Sequence, residues 1–444
     1  LAVARIGAVL QTIHMPYRAG DIASLLEHSQ ARAVVALDVF RGYDLASMML
    51  AERCRLSSLE EVIIVGQAPR EARSFWSLAE SGTPLDQHDR AVAADPCLLL
   101  YTSGTTSSPK GVPLTYQNML GNIEAAADEF EVTEHDRILS AAPFSHLYGI
   151  FNFHMALSRG AAAVLLPAFT PQDLGQAVSI HQPTMLFLGP AHAAAMLGQG
   201  LINQRDFASV RFSVFSGASC PTHVLESYQA AIPASAVAQL WGMTEIQAGS
   251  FTRASDPLSV AATSAGPPAR GNEVRIRSLD GDILLAGEEG ELEIRGPSVF
   301  GGYLDNQEAN AAAFTTDGWF RSGDLACIDN SGYIRLTGRT KDLINRGGVK
   351  YNPTDIEALL MQNDAIDQAA IVAMPDPILG EKACCFVTLQ PGFDLSLTEV
   401  CVLLEGENVS KVKWPERLEI VEEMPLTPTK KIIKGELVQR LKSS

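Results

Sequence analysis

The chain has 444 residues, of which 46% are hydrophobic and 19% charged, so it can bury large apolar cores and is not disordered by composition. Because domains usually contain about 50–250 residues, this length predicts at least two of them. The formal net charge is −17, and a field of that sign repels nucleic-acid phosphates and anionic lipids, which argues against a nucleic-acid or membrane-surface partner.

The first segment, Leu1–Ile13, has the apolar character of the inside of an element rather than of an exposed terminus. It contains Arg5 and lacks a basic leader followed by a cleavage site, so it does not resemble a signal peptide. We therefore expect the sequence to begin part-way into a domain. No apolar run approaches the roughly 20 residues that span a bilayer, and the longest candidate, Ala161–Ala168, is interrupted by Pro167.

Short apolar runs alternate with helical stretches through the first half of the chain. The predicted strands are Ala33–Leu37, Val62–Val65, Cys97–Tyr101, Ile138–Ala141, Ala162–Leu166, Thr184–Leu188, Arg211–Phe215 and Ala236–Leu240. The predicted helices between them include Tyr116–Phe130, Pro171–His181 and Ala191–Leu197. Nearly continuous hydrophobicity is typical of strands covered on both faces, so the pattern predicts an α/β layered domain with parallel strands.

The pattern changes near residue 270, where strands of alternating polarity are separated by glycine- and aspartate-rich turns. Glu273–Arg277, Gly290–Gly296 and Tyr333–Thr337 predict a small antiparallel β subdomain. The charged, glycine-bearing segment that begins at Gly338 is typical of a hinge, and the helices and strands after it predict a small α+β domain. We therefore predict a large domain of residues 1–338 (α/β to 270, β-rich over 271–338), a hinge at 339–342 and a mobile C-terminal domain at 343–444.

Seven cysteines occur without any Cys-x-x-Cys spacing, and Cys384 and Cys385 are adjacent in an apolar run. This arrangement does not suit a disulfide framework. It predicts buried, reduced thiols in a cytoplasmic protein. The composition leaves a homo-oligomer open.

A loop rich in hydroxyl groups follows the strand that ends near Tyr101. Between Thr102 and Gly111 there are six hydroxyl residues, two glycines and Lys110. Hydroxyls and backbone N–H groups in a turn form an anion-binding concavity, and a lysine adds a charge that suits a polyphosphate. The loop is not a Walker A sequence, because Gly111 follows Lys110 where Ser or Thr would be required. An ordinary Ser/Thr/Gly loop is the alternative.

The run Tyr-Thr-Ser-Gly-Thr-Thr-x-x-Pro-Lys-Gly at 101–111 resembles the signature of the AMP-forming acyl/aryl-CoA synthetases, which belong to the adenylating superfamily. Other motifs of that family occur in the same order: Pro143-Phe-Ser-His146, Ser216-Gly-Ala-Ser219, Trp241-Gly-Met-Thr-Glu245, Gly302-Tyr303, Phe320-Arg-Ser-Gly-Asp324, Gly338-Arg339 with Gly347-Gly348, and Pro425-Leu-Thr-Pro-Thr-Lys-Lys431. The resemblance covers essentially the whole chain. Within the family, the sequence most resembles ligases for cyclohexanecarboxylate-like and medium-chain acids.

The resemblance implies a site for ATP and its product AMP. The nucleotide would contact the loop residues Thr102, Ser103, Gly104, Thr105, Thr106 and Lys110, then Gly217, Ala218 and Ser219, and then Trp241, Gly242, Met243 and Thr244. Trp241 stands where the family usually has Tyr or Phe stacked on adenine, and its indole offers the same platform. Asp324, expected in a turn between two strands, would accept both ribose hydroxyls with help from Arg339, although an exposed turn aspartate is ordinarily structural.

Glu245 would lie at the C-terminal end of a strand, where open α/β sheets bind ligands. A carboxylate there can hold Mg²⁺ that bridges phosphate oxygens, although a Thr-Glu pair is otherwise common as a helix cap. The resemblance makes Glu245 the magnesium ligand. His146 would line the acyl pocket and orient the substrate carboxylate or gate the acyl tunnel.

Lys431 lies in a tail that, from Ser410 onward, has 8 basic and 5 acidic residues in an otherwise acidic chain. Such a patch suggests a bound anion, although a solvated lysine pair is the commoner explanation. In the family, the lysine at this place bridges the substrate carboxylate and the α-phosphate and stabilises the charge that develops there. Lys430 stands where the family usually has glycine, and the spacing from Pro425 favours Lys431 as the active residue.

The implied reaction has two steps. The substrate carboxylate first attacks the α-phosphate of MgATP, which gives an acyl-adenylate and pyrophosphate. The small domain then rotates about Lys341 and the next residue, brings Gly347 and Gly348 to the site, and lets the thiol of CoA release AMP. Mostly apolar segments around the acyl site (144–151, 189–192 and 216–219) favour an apolar acid. The alternatives are an enzyme that loads a carrier-protein thiol, a truncated, non-catalytic nucleotide-binding protein and, more remotely, a luciferase-type oxidase.

Overall fold

The computed structural model describes residues 1–82, 91–102, 109–203, 206–427 and 431–443. A first parallel sheet contains, in spatial order, Ala33–Leu37, Glu61–Val65 and Arg73–Ser74, beside a hairpin of Val39–Phe40 and Tyr43–Asp44. The helices of this region are Ala2–Arg5, Ala19–Ser29, Leu45–Arg55 and Phe75–Ser81. The core beneath the sheet is formed by apolar side chains such as Ile22, Met49 and Val62.

A second sheet carries the strand that leads into the hydroxyl-rich loop. Its order is Leu10–Gln11, Pro96–Thr102 and Lys110–Thr115, with the first pair parallel and the second antiparallel. Thr102 pairs with Lys110, so these two residues flank the loop at the end of the hairpin. The helix Tyr116–Glu129 follows directly and is capped by Thr115, whose hydroxyl accepts from the Asn118 amide.

The central sheet has six strands: Ala162–Val164, Arg137–Ser140, Met185–Leu188, Phe212–Ser216, Ala236–Met243 and Gln247–Phe251. The first five are parallel and the last is antiparallel to its neighbour. Alternate side chains enter two separate cores, as in Phe187 on one face and Leu186 on the other. The helices around the sheet are Tyr116–Glu129, Leu147–Ser158, Pro171–His181, Pro190–Gly198, Thr222–Ala231 and Leu258–Ala261. Both faces are therefore covered, as continuous hydrophobicity predicts.

A four-stranded antiparallel sheet follows, in the order Glu273–Arg277, Gly290–Arg295, Phe320–Ile328 and Ile334–Arg339. The helix Gln307–Ala313 accompanies it. Buried residues of this sheet, such as Ile294 and Phe320, share one core with the central sheet. The predicted β subdomain is thus packed onto the α/β layers.

The small C-terminal domain begins after a 3₁₀ turn at Thr340–Asp342. Its strands are Ile344–Arg346, Val349–Tyr351, Ile366–Asp376, Gly380–Leu389 and Arg417–Ile420. Its helices are Thr354–Leu360, Leu397–Gly406 and Lys434–Ser443, with a 3₁₀ turn at Lys411–Lys413. The layered large domain, the antiparallel β subdomain and the small α+β domain confirm the predicted fold class.

Three local expectations were wrong. Leu1–Ile13 is not one element, because a short helix at Ala2–Arg5 and a two-residue strand at Leu10–Gln11 occupy it. All seven thiols are unpaired, but Cys54 is exposed, and Cys97 and Cys401 are only partly buried. The expected turn at Asp324 lies inside the strand Phe320–Ile328, as described below. Among the described residues, no helix has the length and apolar character needed to cross a membrane.

Candidate functional site

Glu245 lies in the turn that joins the last two strands of the central sheet, Ala236–Met243 and Gln247–Phe251. Gly242 permits this turn, because a Cβ there would lie 2.0 Å from the carbonyl oxygen of Gln247. The Phe300 amide donates to the carbonyl of Glu245 at 2.8 Å and ties the turn to a neighbouring loop. The carboxylate therefore occupies the C-terminal edge of a parallel strand, as predicted.

Tyr303 connects Glu245 to Lys110. Its hydroxyl donates to Oε1 of Glu245 at 3.0 Å, and the Lys110 ammonium lies 4.8 Å from the centre of its ring. Glu245 is only 8% exposed, and this burial raises the pKa of its carboxyl, while Tyr303, Arg339 and Lys110 act in the opposite direction. The sequence identified Gly302-Tyr303 as a motif but did not identify Tyr303 as a site residue.

Asp324 lies in a bulge within a strand and not in a turn between strands. Glu293 is opposite Arg321 while Glu291 is opposite Leu325. Over this stretch, the strand Phe320–Ile328 therefore carries more residues than its neighbour Gly290–Arg295. Gly323 takes a φ of +72°, and the Ser322 hydroxyl accepts from the Asp324 amide at 3.1 Å. The Asp324 backbone stays paired opposite Arg339 on the next strand, while its side chain reaches Trp241 of the central sheet.

Asp324 is bonded from two sides. Nε1 of Trp241 donates to Oδ2 at 2.7 Å, and Nε of Arg339 lies 2.8 Å from Oδ1. Trp241 is 5% exposed and Asp324 is 6% exposed. The Asp324 charge raises the pKa of Arg339. Two of the residues that the resemblance assigns to the nucleotide, from the central sheet and from the β subdomain, therefore meet directly.

Lys431 comes from the small domain and reaches this group. Its backbone is held by Thr427, whose amide donates to the Lys431 carbonyl at 2.8 Å and whose hydroxyl accepts from the Lys431 amide at 3.0 Å. A Cβ on Gly217 would lie 4.0 Å from Cε of Lys431. Burial and then Arg339 lower the pKa of Lys431 to about 8, with Lys341 adding to the effect while Asp324 and Glu245 oppose it.

His146 caps the helix Leu147–Ser158, because its Nδ1 accepts from the Tyr148 amide at 3.2 Å. Burial, followed by the charges of Lys431 and His14, lowers the pKa of His146 to about 4. The ring is therefore neutral near pH 7 and carries its hydrogen on Nε2. His14 contacts Ser145, the residue before His146, since Nδ1 of His14 lies 2.7 Å from the Ser145 hydroxyl. Nothing in the local sequence around His14 predicted this contact.

The segment Gly217–Ser219 follows the strand Phe212–Ser216 and so lies at the same edge of the central sheet as Glu245. Gly217 takes a φ of +94°, which a side chain would disfavour. The Cys220 amide donates to the side chain of Gln239 at 2.8 Å and anchors the end of the segment. Thr244 lies in the Glu245 turn.

The structure does not bring every predicted residue to this edge. Gly347 and Gly348 form a turn with φ values of +61° and +89°, and the Gly347 amide donates to the Leu379 carbonyl within the small domain. Lys341, in the 3₁₀ turn, does lie near the edge, because burial and then the Arg339 charge lower its pKa and Asp324 acts on it as well. The predicted loop residues Ser103, Gly104, Thr105 and Thr106, together with Lys430, lie outside the described residues.

The charges of this edge suit a polyanion. Lys110, Arg339, Lys341 and Lys431 provide four cations against the three carboxylates of Glu245, Asp324 and Asp342. This local excess of one positive charge occurs in a chain whose net charge is −17. A cationic pocket of this kind attracts a triphosphate and lowers the energy of charge that develops on it.

Comparisons with known proteins identify the family to which the chain is similar. Residues 1–304 match the family model described as AMP-binding enzyme, and residues 355–431 match the AMP-binding enzyme C-terminal domain. The chain is 34% identical to the medium-chain fatty-acid–CoA ligase of Escherichia coli K12, over 98% of this chain and 77% of that protein. It is 30% identical, over 98% of this chain and 85% of the relative, to a 3-[(3aS,4S,7aS)-7a-methyl-1,5-dioxo-octahydro-1H-inden-4-yl]propanoyl:CoA ligase of Mycobacterium tuberculosis. The fold is similar to that of ATP-bound MatB from Rhodopseudomonas palustris, with a TM-score of 0.89, 24% identity and coverage of 99% and 85%.

Proposed function

This chain belongs to the AMP-binding enzyme family, among the AMP-forming acid–CoA ligases, and we propose that it activates an apolar carboxylic acid and transfers it to CoA. The observation that supports the first step most directly is the position of Lys431. A lysine of the small domain lies next to Gly217 of the large domain and in the field of Asp324 and Glu245. A fixed cation in that place would stabilise the negative charge that develops as the acid attacks the α-phosphate.

The nucleotide would lie along the C-terminal edge of the central sheet. Asp324 would accept the ribose hydroxyls, Trp241 would lie against the adenine, and Gly217–Ser219 would line the adenine and acyl sites. The hydroxyl-rich loop that Thr102 and Lys110 flank would contact the phosphates. The burial of Asp324 and its two donors support this assignment, because they leave the carboxylate ordered before any ligand arrives.

Magnesium would be held by Glu245 together with oxygens of the triphosphate. The described residues contain no group of three or more His, Cys, Asp or Glu side chains suited to a metal. Magnesium characteristically binds one or two carboxylates plus substrate phosphates, so a single buried carboxylate beside cationic residues fits it. The ion would neutralise phosphate charge, while Tyr303 would hold the Glu245 carboxylate in place.

His146 would act on the acid rather than on the nucleotide. Its neutral ring has Nδ1 occupied by the Tyr148 amide, so Nε2–H is the group that remains to donate to a carboxylate oxygen. A neutral donor can orient the attacking oxygen without forming an ion pair that would weaken its nucleophilicity.

The second step would require a rotation about the 3₁₀ turn Thr340–Asp342. In the structure Lys431 lies next to Gly217, while Gly347 contacts Leu379 within the small domain. A rotation that withdraws Lys431 and brings the Gly347–Gly348 turn to the acyl-adenylate would open a path for the thiol. The two steps would then use the same space in turn.

An apolar acid is supported by the segments 144–151, 189–192 and 216–219, which contain no lysine or arginine that could bind a second carboxylate. The relative named medium-chain fatty-acid–CoA ligase points to the same class of acid. The seven unpaired thiols suit a reducing compartment, and we propose a cytoplasmic location.

A panel of straight-chain, alicyclic and aromatic acids tests this function, with ATP, Mg²⁺ and CoA present and AMP and acyl-CoA measured. We expect AMP and acyl-CoA to form in equal amounts with an apolar acid. The Lys431→Gln variant should lose adenylate formation while it still transfers a supplied acyl-adenylate to CoA. AMP formation that requires a carrier protein in place of CoA, or adenylate formation that is equally fast in Lys431→Gln, would contradict the proposal.

A further inference from the structure

We propose that Trp241 is a positioning residue for ribose recognition: its indole N–H fixes the carboxylate of Asp324 so that both ribose hydroxyls can be bound. This inference rests on the proposed nucleotide site and assigns Trp241 a role besides that of an aromatic platform for adenine. It predicts that the residue affects which sugar the enzyme accepts, and not only how tightly a base binds.

The geometry of the contact is that of a strong hydrogen bond. The distance from Nε1 to Oδ2 is 2.7 Å, at the short end of the range for an N–H donor and a charged acceptor. Both side chains are at least nine-tenths buried. Water therefore has little access to replace the donor if it is removed, and the carboxylate would lose a partner that fixes its plane.

The indole cannot easily turn away from Asp324. A Cβ on Gly249 would lie 2.6 Å from Cζ3 of Trp241, so the ring is pressed against a glycine of the neighbouring strand. Ile246 packs against the same glycine, since its Cδ1 would lie 2.9 Å from that Cβ. This packing holds the ring in one orientation, with its N–H directed at the carboxylate.

The number of acceptor sites then determines what Asp324 can bind. An ionised carboxylate offers about four lone-pair positions, two on each oxygen. Trp241 occupies one on Oδ2 and Arg339 occupies one on Oδ1. Beyond these two bonds, each oxygen has one further lone-pair position, and two such positions match the two hydroxyls of a ribose cis-diol. Tyr or Phe at position 241 would place no N–H donor next to Oδ2. Of these two donors, only Arg339 would then remain to fix the plane of the carboxylate.

The test compares ATP with 2′-deoxyATP and 3′-deoxyATP in adenylate formation by the wild-type chain and the Trp241→Phe variant. Phe retains an aromatic face but has no N–H. If Trp241 acts only by stacking, the variant raises KM for the three nucleotides by the same factor. If it positions Asp324, KM for ATP rises about tenfold while KM for the deoxy nucleotides changes less, because a bond to a charged group is lost only where the hydroxyls use it. The preference for ATP over the deoxy nucleotides therefore falls, by up to about tenfold.

A second variant guards against a folding defect. Benzothienylalanine at position 241 has the shape of tryptophan but replaces the N–H with sulfur, and it should reproduce the loss of sugar preference. Trp319→Phe is the matched control, because Trp319 is also buried and packs between Arg275 and Arg295 away from Asp324. We expect its sugar preference to equal that of the wild type. An unchanged preference in both Trp241 variants would overturn the inference.

Asp324→Asn separates this failure from a failure of the proposed site. If Asp324→Asn abolishes the preference for ATP and the Trp241 variants do not, the nucleotide site stands and the role of the indole N–H is wrong. If Asp324→Asn leaves the preference intact, the ribose does not bind there, and both proposals fail. Direct binding of AMP and 2′-deoxyAMP by calorimetry provides the same comparison without turnover.

Discussion

The phenol oxygen of Tyr303 lies 3.0 Å from Oε1 of Glu245 and donates its hydrogen to that carboxylate. The two residues are 58 positions apart, one in a loop of the β subdomain region and one in the last turn of the central sheet. The contact therefore ties the proposed magnesium ligand to a second part of the large domain. It also places the Tyr303 ring between Glu245 and Lys110, so that a carboxylate and an ammonium group share one aromatic support.

Removal of this hydroxyl in Tyr303→Phe should weaken magnesium binding. Burial already raises the pKa of Glu245, and the loss of a donor to its charged form raises it further, which disfavours the ionised ligand. Groups that orient a metal ligand typically affect metal affinity by about 10–100-fold. We expect the Mg²⁺ concentration at half-maximal adenylate formation to rise by at least about tenfold, with the rate at saturating Mg²⁺ largely restored.

Tyr333→Phe is a suitable control for that variant, because it removes a phenol that donates to Asp256 rather than to Glu245 or Asp324. Its magnesium dependence should equal that of the wild type. A Tyr303→Phe enzyme with an unchanged magnesium requirement would show that Glu245 does not depend on this hydrogen bond.

Adenylate formation should decline at high pH because of Lys431. Burial and neighbouring cations lower the pKa of Lys431 to about 8, so its ammonium group is present below that pH and is lost above it. We expect kcat/KM for adenylate formation, which reports the free enzyme, to fall tenfold per pH unit above about pH 8. Bound triphosphate favours the ammonium form, so kcat should fall only at a higher pH.

Lys431→Arg provides the matched variant for this pH profile. A guanidinium group remains charged throughout the accessible range, so the decline above pH 8 should disappear even if the absolute rate is lower. A decline at the same pH in Lys431→Arg would assign the titration to another group.

Gly338→Ala should slow the first step more than the second. A Cβ on Gly338 would lie 1.9 Å from the Nδ2 of Asn352, whose amide donates to the carbonyl of Thr337. This contact joins the strand before the proposed hinge to the segment after it, so we expect it to form only in an arrangement close to the present one. Overpacking costs roughly 1–3 kcal/mol, and we expect adenylate formation to fall by about tenfold or more, while transfer from a supplied acyl-adenylate is retained.

Gly121→Ala is the control substitution, because nothing lies within 4 Å of its Cβ and the residue is inside the helix Tyr116–Glu129. It should leave both half-reactions unchanged and stabilise the helix slightly. Equal losses in both half-reactions for Gly338→Ala would mean that the Asn352 contact does not distinguish the two arrangements.

Asp136→Asn should destabilise the large domain without touching the site. Burial alone would raise the pKa of Asp136, but hydrogen bonds from Arg211 and Thr184 outweigh it and lower that pKa to about 2. The resulting stability is present above about pH 4 and is lost as the pH falls through about 2. We expect the variant to lose about 2 kcal/mol of unfolding free energy in urea at pH 7, and less at pH 3.

The exposed carboxylate Glu273 offers a comparison, because its ion pair with Arg295 lies on the surface. Glu273→Gln should change the unfolding free energy by less than about 0.5 kcal/mol at any of these pH values. A pH-independent loss in Asp136→Asn would indicate a packing effect rather than the loss of the charged network.

Most of the fold follows from local signals in the sequence. The helix Pro171–His181 has the predicted bounds because Thr170 caps its first turn, proline occupies its first position and Gln182 ends it with a φ of +47°. The five parallel strands of the central sheet are mostly apolar runs, and they differ from the predicted ranges by only a few residues at their ends. The antiparallel strand Gln247–Phe251, which is less apolar, was not predicted. Here local propensity and burial favour the same structure.

The bulge at Asp324 could not be read in the same way. Arg-Ser-Gly-Asp has the composition of a turn, and the positive φ of Gly323 is indeed a turn-like conformation. The pairing of Leu325 and its successors with the neighbouring strand keeps the segment in the sheet. That outcome depends on register between strands about 30 residues apart, which composition does not encode.

The contacts between residues of the site could not be predicted from the sequence either. His14 and Ser145 are 131 residues apart, and Trp241 and Asp324 are 83 apart. Motifs predicted that Trp241, Glu245, Asp324 and Lys431 serve one ligand, but not which of them bond to one another. Direct pairing of Trp241 with Asp324 depends on the packing of two sheets, and only the assembled fold reveals it.

Arg339 is the last residue of the strand Ile334–Arg339 and is followed at once by the 3₁₀ turn Thr340–Asp342. The residue whose guanidinium contacts Asp324 therefore directly precedes the proposed pivot. We expect departure of the spent nucleotide and the backward swing of the small domain to be timed together. We expect such an enzyme to release AMP before it binds the next ATP. This order would limit hydrolysis of ATP in the absence of the acid.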